Sequence, residues 1–280
     1  MKNNNRIVVL GGNSFVASNL IKLLKKDKRK FLLIFKKNID LTNINSVKKL
    51  SRVLKKNDNL VFISAMAPVK NFQMLIQNLE MCKNVFQVIQ NKKIDYLLYV
   101  SSDAVYSDSK KPLTEKSKTE PDNLHGFMHL MRENILKLLN IKLCIVRPTL
   151  VYGSEDSHNG YGPNQFIRLA QARKEISLFG KGEEKRDHIN VNDVGEAIYF
   201  LIKKKHVGTV NLVSGKLNSF FKIAKKVKNL YKIKLKYLKR KGPMPHNGYR
   251  AFDNSLLKKM MPNITNLSEW IDLKEKYKKK

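Results

Sequence analysis

The amino-acid sequence predicts an α/β protein, in which a doubly wound parallel sheet carries a smaller C-terminal lobe. Apolar runs of strand length alternate with helix-length segments from Arg6 to Val146. Near the start, one such run breaks into a small-residue turn and resumes with helical spacing as far as Leu20. Beyond Gly153 the composition changes, because Gly, Pro, Asn and His crowd the next segment. A chain of 280 residues is long enough for a domain and a lobe.

The first strand, turn and helix set the pattern. The strand that follows Arg6 ends at a Gly-Gly turn, and the helix Ser18–Lys26 continues with apolar residues at helical intervals. The N–H groups and the dipole of its first turn favour a phosphate. Five consecutive apolar residues at Phe31–Phe35 predict a second, fully buried strand and complete a βαβ unit.

The same alternation continues along the first half of the chain. We expect a helix from the Asp40–Thr42 segment through Leu54. Alternating strands and helices are then expected over Leu60–Ser64, Asn71–Asn91, Ile94–Val100, His125–Asn140 and Ile141–Val146, where Arg147-Pro148 stops the last strand. Such strands pair in parallel with right-handed connections, so a ligand is expected beyond their carboxyl ends.

The second half adds the lobe. One helix is expected to end near Lys174, a second opens at Ile189–Val194 and runs to about Lys204, and Thr209–Val213 is expected to be a last strand. We therefore assign residues 1–152 and about 188–213 to the sheet domain. Residues of about 153–187 and 214–280 are assigned to the lobe.

The chain is strongly basic. Its 55 Lys and Arg against 23 Asp and Glu give a net charge of +32, which first suggests a polyanion partner. The lysines are spread along the whole chain, however, and no zinc-finger, RNP or homeodomain pattern accompanies them. We therefore expect no specific nucleic-acid partner.

Cysteines and hydropathy indicate the compartment. Cys82 and Cys144 stand in apolar runs at a spacing that matches no metal or redox motif, so we expect two reduced core residues. No apolar run reaches the roughly 18 residues that span a bilayer, and the polar Met1–Asn5 does not resemble a secretory leader. These observations predict a cytoplasmic protein without a membrane span.

Several short motifs follow one another in a characteristic order. They are Gly11-Gly-Asn-Ser14-Phe-Val-Ala17, Asn78, Val100-Ser-Ser-Asp-Ala-Val-Tyr106, Arg147-Pro148, Val151-Tyr-Gly153, Arg186-Asp-His-Ile189 with Asp193, and Arg250 before Asp253. Their order and spacing resemble the extended short-chain dehydrogenase/reductases, specifically the NAD-dependent epimerase/dehydratase family that modifies nucleotide sugars. The resemblance covers nearly the whole chain. It implies a Rossmann domain for NAD or NADP and a C-terminal lobe for a nucleoside-diphosphate sugar.

The resemblance also implies the cofactor-binding residues. In the pattern G-x-x-G-x-x-G, Gly11 gives the tight turn, Ser14 replaces the second glycine and Ala17 the third. Ser14 departs from the pattern, so it either donates its hydroxyl to a phosphate oxygen or weakens binding. The implied cofactor residues are Gly11, Gly12, Ser14, Phe15, Val16, Lys36, Lys37, Asp40, Leu41, Ser64, Ala65, Asn78 and His129. Phe35-Lys-Lys37 stands where an acidic residue selects NAD, so NADP is favoured over NAD.

Two residues after the strand that ends at Val100 match catalytic positions of the family. Ser102 matches the Ser or Thr that hydrogen-bonds the reacting sugar oxygen, and Asp103 matches the Asp of dehydratases and 4-ketosugar reductases. In 4,6-dehydratases a Glu base follows that Asp, where this chain has Ala104. A 4,6-dehydratase is therefore not expected.

The family's catalytic Tyr-x-x-x-Lys pair is replaced by His125-Gly-Phe-Met-His129. Imidazole titrates near pH 6.5, so His125 can exchange protons without a partner, and the spacing puts His129 on the same helix face. Four interpretations stay open: a histidine acid/base, an enzyme that uses other groups, a lapsed nucleotide binder, and a helical metal pair. No further metal ligand is identified, so no metal is expected. Tyr106-Ser-Asp-Ser-Lys110 repeats the family spacing in a loop, which we interpret as coincidence.

The lobe carries the implied substrate residues. Arg186 and Arg250 resemble the arginines that clamp the diphosphate of a nucleotide sugar, a task that suits the guanidinium fork. Asn164 stands where the substrate loop of the family begins its helix. His158 is expected to be solvated rather than catalytic.

The combined prediction is an NAD(P)-dependent nucleotide-sugar epimerase or 4-ketosugar reductase that serves surface-polysaccharide synthesis. Ser102 would polarise the reacting oxygen and His125 would move the proton. The alternative is a catalytically lapsed NAD(P)-binding sensor or assembly subunit. The resemblance further implies a homodimer with a four-helix interface.

Overall fold

A computed structural model describes residues 5–154, 156 and 160–276. Residues 1–4 of the polar N-terminal stretch and His158 lie outside the described residues. The chain divides into two compact units: Met1–Ser107, Ser117–Pro148 and Val194–Leu212 form the first, and Asp108–Lys116, Thr149–Asp193 and Val213–Lys280 the second. Residues 108–116, 149–152, 188–193 and 213, which the sequence assigned to the sheet domain, thus cluster with the second unit.

The first unit is built on a six-stranded sheet in the order β2-β1-β3-β4-β5-β9. Every neighbouring pair is parallel, which confirms the predicted doubly wound α/β architecture. The strands are β1 (Ile7–Leu10), β2 (Phe31–Ile34), β3 (Asn59–Phe62), β4 (Tyr96–Val100), β5 (Lys142–Pro148) and β9 (Gly208–Leu212).

Helices cover both faces of this sheet. They are α1 (Ala17–Lys26), α2 (Ile44–Val53), α3 (Phe72–Asn91), α4 (Leu124–Lys137) and α6 (Val191–Lys204), with a 3-10 turn at Asp103–Val105. Side chains of α2, α3 and α4 share one core with Leu97 and Tyr99 of β4. Tyr96, on the alternate face of β4, instead donates a hydrogen bond to a carbonyl of α6.

Two details of the predicted strands were wrong. β2 is an edge strand, and Phe31, Leu32 and Leu33 are only half-buried, because no strand pairs on its outer side. β5 does not stop at Arg147 but includes Pro148, because both residues still pair with β9. The two cysteines are free and buried, as predicted.

The second unit has its own sheets and core. β8 (Lys185–Asn190) is the centre of a sheet with β6 (Leu150–Tyr152), β10 (Leu217–Ser219) and β12 (Tyr249–Arg250). A separate parallel pair joins β7 (Ile176–Phe179) to β11 (Leu235–Leu238). The remaining elements are α5 (Pro163–Gln171), α7 (Phe220–Tyr231), a 3-10 turn (Pro245–Gly248), α8 (Ser255–Met260) and α9 (Leu267–Lys276). Aromatic side chains such as Phe166, Phe220 and Trp270 fill the core.

Candidate active site

The turn after β1 needs glycine at its first position. Gly11 has a φ of +97°, a conformation that side chains rarely adopt, and a Cβ there would lie 2.9 Å from the Ser64 nitrogen. A Cβ on Gly12 would lie 2.9 Å from the ring of Phe35. The turn is therefore enclosed between the ends of β2 and β3.

Ser14 has a defined role in this turn. Its Oγ accepts a 3.1 Å hydrogen bond from the N–H of Ala17, the first residue of α1. The same N–H also donates to the Ser14 carbonyl at 3.0 Å, so this donor is used within the turn. The bond to Oγ leaves the hydroxyl proton of Ser14 to be donated elsewhere, so the replacement of glycine keeps a donor at this position.

A cavity of about 300 Å³ opens at the carboxyl ends of β1, β2 and β3. Its walls are formed by Gly11, Asn13, Ser14, Ile34, Phe35, Lys36, Ile39, Asp40, Leu41, Ile63, Ser64, Ala65, Met66 and Met81. Seven predicted cofactor residues are among them. The predicted residues Gly12, Phe15, Val16, Lys37, Asn78 and His129 are not. A glycine turn beside a helix N-terminus and an apolar wall fits a dinucleotide.

The end of β2 presents a lysine and a carboxylate to this cavity. Lys36 Nζ lies 4.0 Å from Asp40 Oδ2. Asp40 Oδ1 accepts hydrogen bonds from the backbone N–H and the hydroxyl of Thr42 at 2.9 and 2.7 Å. Burial opposes ionisation, but these hydrogen bonds and Lys36 together lower the pKa of Asp40. The cavity thus holds a fixed negative charge next to a positive one.

Asn78 shapes the cavity wall without lining it. The residue is fully buried, and its amide accepts from the N–H of Met66 at 3.0 Å and donates to carbonyls of Met66 and Met74. Its predicted direct contact with a cofactor therefore does not fit its position. It holds the loop after β3 in place from the buried side, away from the cavity.

The turn after β4 is pressed against the start of α4. A Cβ on Gly126 would lie only 2.1 Å from the carbonyl oxygen of Ala104, so only glycine permits this approach. Ser102 Oγ accepts from the N–H of Ala104 at 3.2 Å and lies 3.4 Å from Asp103 Oδ1. Asp103 is close enough to His125 to favour its charged form. The fold thus brings the turn that carries Ser102 and Asp103 against the start of the helix that carries His125.

The two histidines of α4 lie in contact, as their spacing predicts. Their ring centroids are 4.7 Å apart at 87°. His125 is half-buried, and its Nδ1 is enclosed without a hydrogen-bond partner among the described residues. Burial lowers the pKa of His125 and, much further, that of His129, so both imidazoles are neutral at pH 7.

His129 faces inward rather than toward the cavity. It is 4% exposed, and its Nδ1 lies 2.7 Å from the hydroxyl of Tyr99 in β4. The side chain of Tyr99 is fully buried in the core between the sheet and helices α2, α3 and α4. His129 thus supports His125 from behind.

Arg132, one turn further along α4, was missed by the sequence analysis. Its guanidinium is fully buried and donates to the carbonyls of Ser64 and Asn78 and to the side-chain oxygen of Asn78. It also lies 5.0 Å from the centre of the Phe62 ring. Arg132 therefore connects the helix of the histidines to the wall of the cavity. Its spacing of three from His129 was the available signal.

A buried ion pair lies below the same helix. Glu133 of α4 accepts from Arg147 through both carboxylate oxygens, at 2.9 and 2.6 Å. Arg147 stacks on Tyr106 at 4.7 Å, and the Tyr106 hydroxyl donates to Asn211. Tyr106 is 2% exposed, which agrees with the interpretation that its spacing to Lys110 is coincidental.

In the second unit, Arg250 is the centre of a charged cluster. The residue is 2% exposed, and its Nη1 donates to Asp108 Oδ1 at 3.1 Å. His246 Nδ1 lies 2.6 Å from the same oxygen. Burial, Arg186 and Arg250 lower the pKa of His246 despite the nearby carboxylate. Asp108 and His246 were not foreseen from the sequence.

Arg186 belongs to a second cavity within this unit, of about 650 Å³. The walls include Leu150, Tyr161, Phe179, Glu184, Arg186, Phe220, Leu238, Lys239, Arg240, Lys241, Pro243 and Pro245. Arg186 and Arg240 lie 3.4 and 3.7 Å from Glu184, which is itself buried. Rings and guanidinium groups thus line one cavity, a combination that suits a base with phosphates.

Asn164 is committed to its own loop. Its amide oxygen accepts from the N–H of Gly153 at 3.2 Å, and its amide nitrogen donates to Asp156 at 2.7 Å. The residue is 8% exposed. It orders the start of α5 rather than offering an open group to a substrate.

Comparisons with known proteins show which sequences and structures the chain resembles. The sequence model of the NAD dependent epimerase/dehydratase family matches residues 7–213. ADP-L-glycero-D-manno-heptose-6-epimerase of Brachyspira hyodysenteriae is 26% identical over 260 residues, covering 81% of this chain and 81% of that protein. GDP-6-deoxy-D-talose 4-dehydrogenase of Aggregatibacter actinomycetemcomitans is 29% identical over 222 residues, covering 75% and 74%.

A solved structure supports the fold. UDP-N-acetylglucosamine 4-epimerase from Methanobrevibacter ruminantium M1, in complex with UDP-N-acetylmuramic acid, superposes with a TM-score of 0.82 at 22% identity, covering 99% of this chain and 98% of that one. Within the described part of this chain, none of the helices has the length and hydropathy required to cross a bilayer.

Proposed function

The chain belongs to the NAD-dependent epimerase/dehydratase family, and we propose that it is an NAD(P)-dependent nucleotide-sugar epimerase or 4-ketosugar reductase with His125 as its acid/base. The alternative within the fold is a lapsed NAD(P)-binding sensor or assembly subunit. The single observation that carries the proposal is the contact between the start of α4 and the Ser102 turn. It brings the helical turn that carries His125 to the turn that carries Ser102 and Asp103.

The roles of these residues follow from their environment. Nδ1 of His125 is enclosed, so Nε2 is the nitrogen that we assign to the substrate oxygen. A neutral imidazole accepts the proton when the sugar hydroxyl is oxidised and returns it when the ketone is reduced. Asp103 favours the imidazolium that forms when His125 has accepted this proton. Ser102 donates its hydroxyl proton to the same sugar oxygen.

The cofactor we propose is NADP, with NAD as the weaker ligand. The turn at Gly11 and the hydroxyl of Ser14 would hold the pyrophosphate, and Lys36 would pair with a 2′-phosphate. Asp40 and Leu41 would contact the adenosine. When bound, the nicotinamide supplies the hydride acceptor or donor of the reaction.

The proposed substrate is a nucleoside-diphosphate sugar. In the second unit, Arg186 and Arg240 would hold phosphate oxygens, and Tyr161, Phe179 and Phe220 offer rings for the base. Arg250 would join them once a phosphate competes with Asp108. Such a clamp has no use in a protein that senses only NADP, which favours the enzyme over the sensor.

The test is turnover of a panel of nucleotide sugars with NADP and NAD, combined with calorimetry. We expect turnover by the natural chain and a loss of about 100-fold or more in kcat for His125→Gln. His206→Gln, which changes a histidine on the turn after α6, should keep the activity. Cofactor binding without any sugar binding would favour the sensor. Unchanged kcat in His125→Gln would rule out the histidine role.

We further propose a homodimer. Apolar side chains stay exposed on two neighbouring helices, with Phe72 and Ile76 one turn apart on α3 and Phe127 and Met131 one turn apart on α4. A second copy of these two helices would cover them as a four-helix interface. Phe127→Glu should give a monomer in analytical ultracentrifugation, whereas Leu138→Glu, beyond the end of α4, should not. A monomeric natural chain would contradict the proposal.

The cytoplasmic location and the role in polysaccharide synthesis stay predictions.

A further inference from the structure

Arg132 carries a buried charge that no carboxylate of the described residues neutralises. Its guanidinium is fully buried, and its hydrogen bonds run to the carbonyl of Ser64 at 2.8 Å and to Asn78 at 2.6 to 3.0 Å. Among the described residues, the nearest acidic group of α4, Glu133, pairs with Arg147 and Lys137 instead. A buried arginine that is held only by neutral acceptors keeps its positive charge in a medium of low dielectric, where the charge acts strongly on its neighbours.

Tyr99 lies near both this charge and the histidines. Arg132 is close enough to act electrostatically on the Tyr99 phenol, and the Tyr99 oxygen lies 2.7 Å from His129 Nδ1. Among the described residues, His129 Nδ1 is the one hydrogen-bond partner of the buried Tyr99 hydroxyl, so an O–H that pointed elsewhere would be left unsatisfied. Burial raises the pKa of Tyr99 above its usual value, so the hydroxyl keeps its proton. That proton is therefore donated to His129 Nδ1.

We propose that Arg132 and Tyr99 are positioning residues that fix His129 as a neutral imidazole with its proton on Nε2. His129 is then a constant hydrogen-bond donor beside His125, and Arg132 supplies the permanent charge that a histidine pair lacks. Contacts run from Tyr99 through His129 to His125, and Arg132 acts electrostatically on both Tyr99 and His129. The proposed tautomer of His129 applies to the protein without substrate or cofactor. Only the consequence for catalysis rests on the proposed function.

The other charged and titratable groups around His125 and His129 also favour neutral imidazoles overall. Asp103 raises the pKa of His125, but burial and Arg132 outweigh it. His129 is affected by burial, by His125 and by Arg132, all of which lower its pKa. Cys82 and Glu133 act on Tyr99, and both disfavour loss of its proton. No group facing His129 among the described residues favours the imidazolium.

The decisive measurement is the tautomer of His129. Two-dimensional proton–nitrogen NMR of protein labelled with 15N-histidine distinguishes the two tautomers and the imidazolium directly. We expect His129 to show the Nε2-protonated tautomer alone at pH 7, in the absence of any ligand. In Tyr99→Phe, which keeps the ring but loses the donor, the single tautomer should be lost. Tyr96→Phe is the matched control, because its hydroxyl serves a carbonyl on the other face of β4.

The charge is tested with two substitutions of Arg132. Arg132→Met should raise the pKa of His129 by about one unit or more in the same NMR titration, because a cation nearby is removed. Arg132→Lys should leave the pKa of His129 near its wild-type value, because the charge is kept. If Arg132→Met does not fold, a wild-type pKa in Arg132→Lys and a lost tautomer in Tyr99→Phe still decide for the proposal.

Three results would overturn it: an Nδ1-protonated His129 in the natural chain, an imidazolium at pH 7, or an unchanged tautomer in Tyr99→Phe. None of them depends on turnover. If the tautomer is as expected but His125→Gln keeps full activity, the proposed function fails and this inference stands.

Discussion

The hydroxyl of Ser101 and the carboxylate of Glu133 are joined by a 2.6 Å hydrogen bond. Glu133 is fully buried and also holds Arg147 of β5 through both of its oxygens. The end of β4, helix α4 and β5 are therefore tied together at one carboxylate. Ser102 follows directly on Ser101, so this pairing fixes the backbone on which the candidate catalytic residues stand.

Glu133→Gln should destabilise the protein by about 3 kcal/mol, because Arg147 is left buried without a counter-ion. Urea denaturation measures the free energy of unfolding. Glu80→Gln is the control, since Glu80 pairs with Lys83 at 3.4 Å on an open surface, and its loss should cost less than about 0.5 kcal/mol. Equal effects of the two substitutions would mean that the buried pair contributes no more than an exposed one.

Gly126→Ala tests the contact between α4 and the Ser102 turn. A methyl group 2.1 Å from the Ala104 carbonyl has no room, so either the helix or the turn must shift. We expect a loss of about 1–3 kcal/mol in stability, as for other overpacked sites, and a fall in kcat. Gly160→Ala is the control, because a Cβ there meets nothing within 4 Å. A wild-type melting curve for Gly126→Ala would contradict the close approach.

Lys36 and Lys37 differ in one respect that can be measured. Lys36 lines the cavity at the end of β2, and Lys37, also exposed, does not. Lys36→Ala should weaken NADPH binding about tenfold and leave NADH nearly unchanged, because only NADPH carries the 2′-phosphate. Lys37→Ala should alter neither affinity. Calorimetry with both cofactors decides, and equal losses for NADPH and NADH would disprove a phosphate contact by Lys36.

The architecture could be predicted because strand-length apolar runs directly record burial in a parallel sheet. The edge position of β2 could not be predicted, because its apolar run resembles that of a central strand. Which strands pair with it depends on distant segments of the chain. Ser102 and His125 could be placed together from the rule on strand ends. Tyr99 and Arg132 could not, since their contacts depend on how β4, α3 and α4 pack.

Stability should fall in mild acid because of buried histidines. Nδ1 of His188 donates to the carbonyl of Arg186 at 3.2 Å, and burial with the charge of Arg186 lowers the pKa of His188 to about 3. An unfolded histidine titrates near 6.5, so between pH 6.5 and 3 only the unfolded state binds this proton. The free energy of unfolding then decreases by about 1.4 kcal/mol per pH unit for each such histidine.

The measurement is urea denaturation at several values between pH 7.5 and 5, above the range of most carboxylates. His125, His129 and His246 also have lowered pKa values and should add to the slope. His188→Gln should flatten the slope below pH 6.5 by about 1.4 kcal/mol per unit and leave it unchanged above pH 7. A natural chain whose stability does not change from pH 7 to 5 would contradict the buried neutral state.

Asp108 should weaken the binding of a diphosphate by the second unit. Its carboxylate lies 3.1 Å from Nη1 of Arg250, 142 positions along the chain, and 2.6 Å from Nδ1 of His246. An incoming phosphate must compete with this carboxylate for the guanidinium of Arg250, which is 2% exposed. The negative charge of the carboxylate also repels the phosphate. Asp108→Asn removes the charge and keeps the shape, so it should tighten binding of nucleoside diphosphates about tenfold, or about 1.4 kcal/mol. Glu175→Gln, an exposed carboxylate of the same unit, is the control for net charge. If Asp108→Asn weakens binding instead, the carboxylate positions Arg250 for the phosphate rather than competing with it.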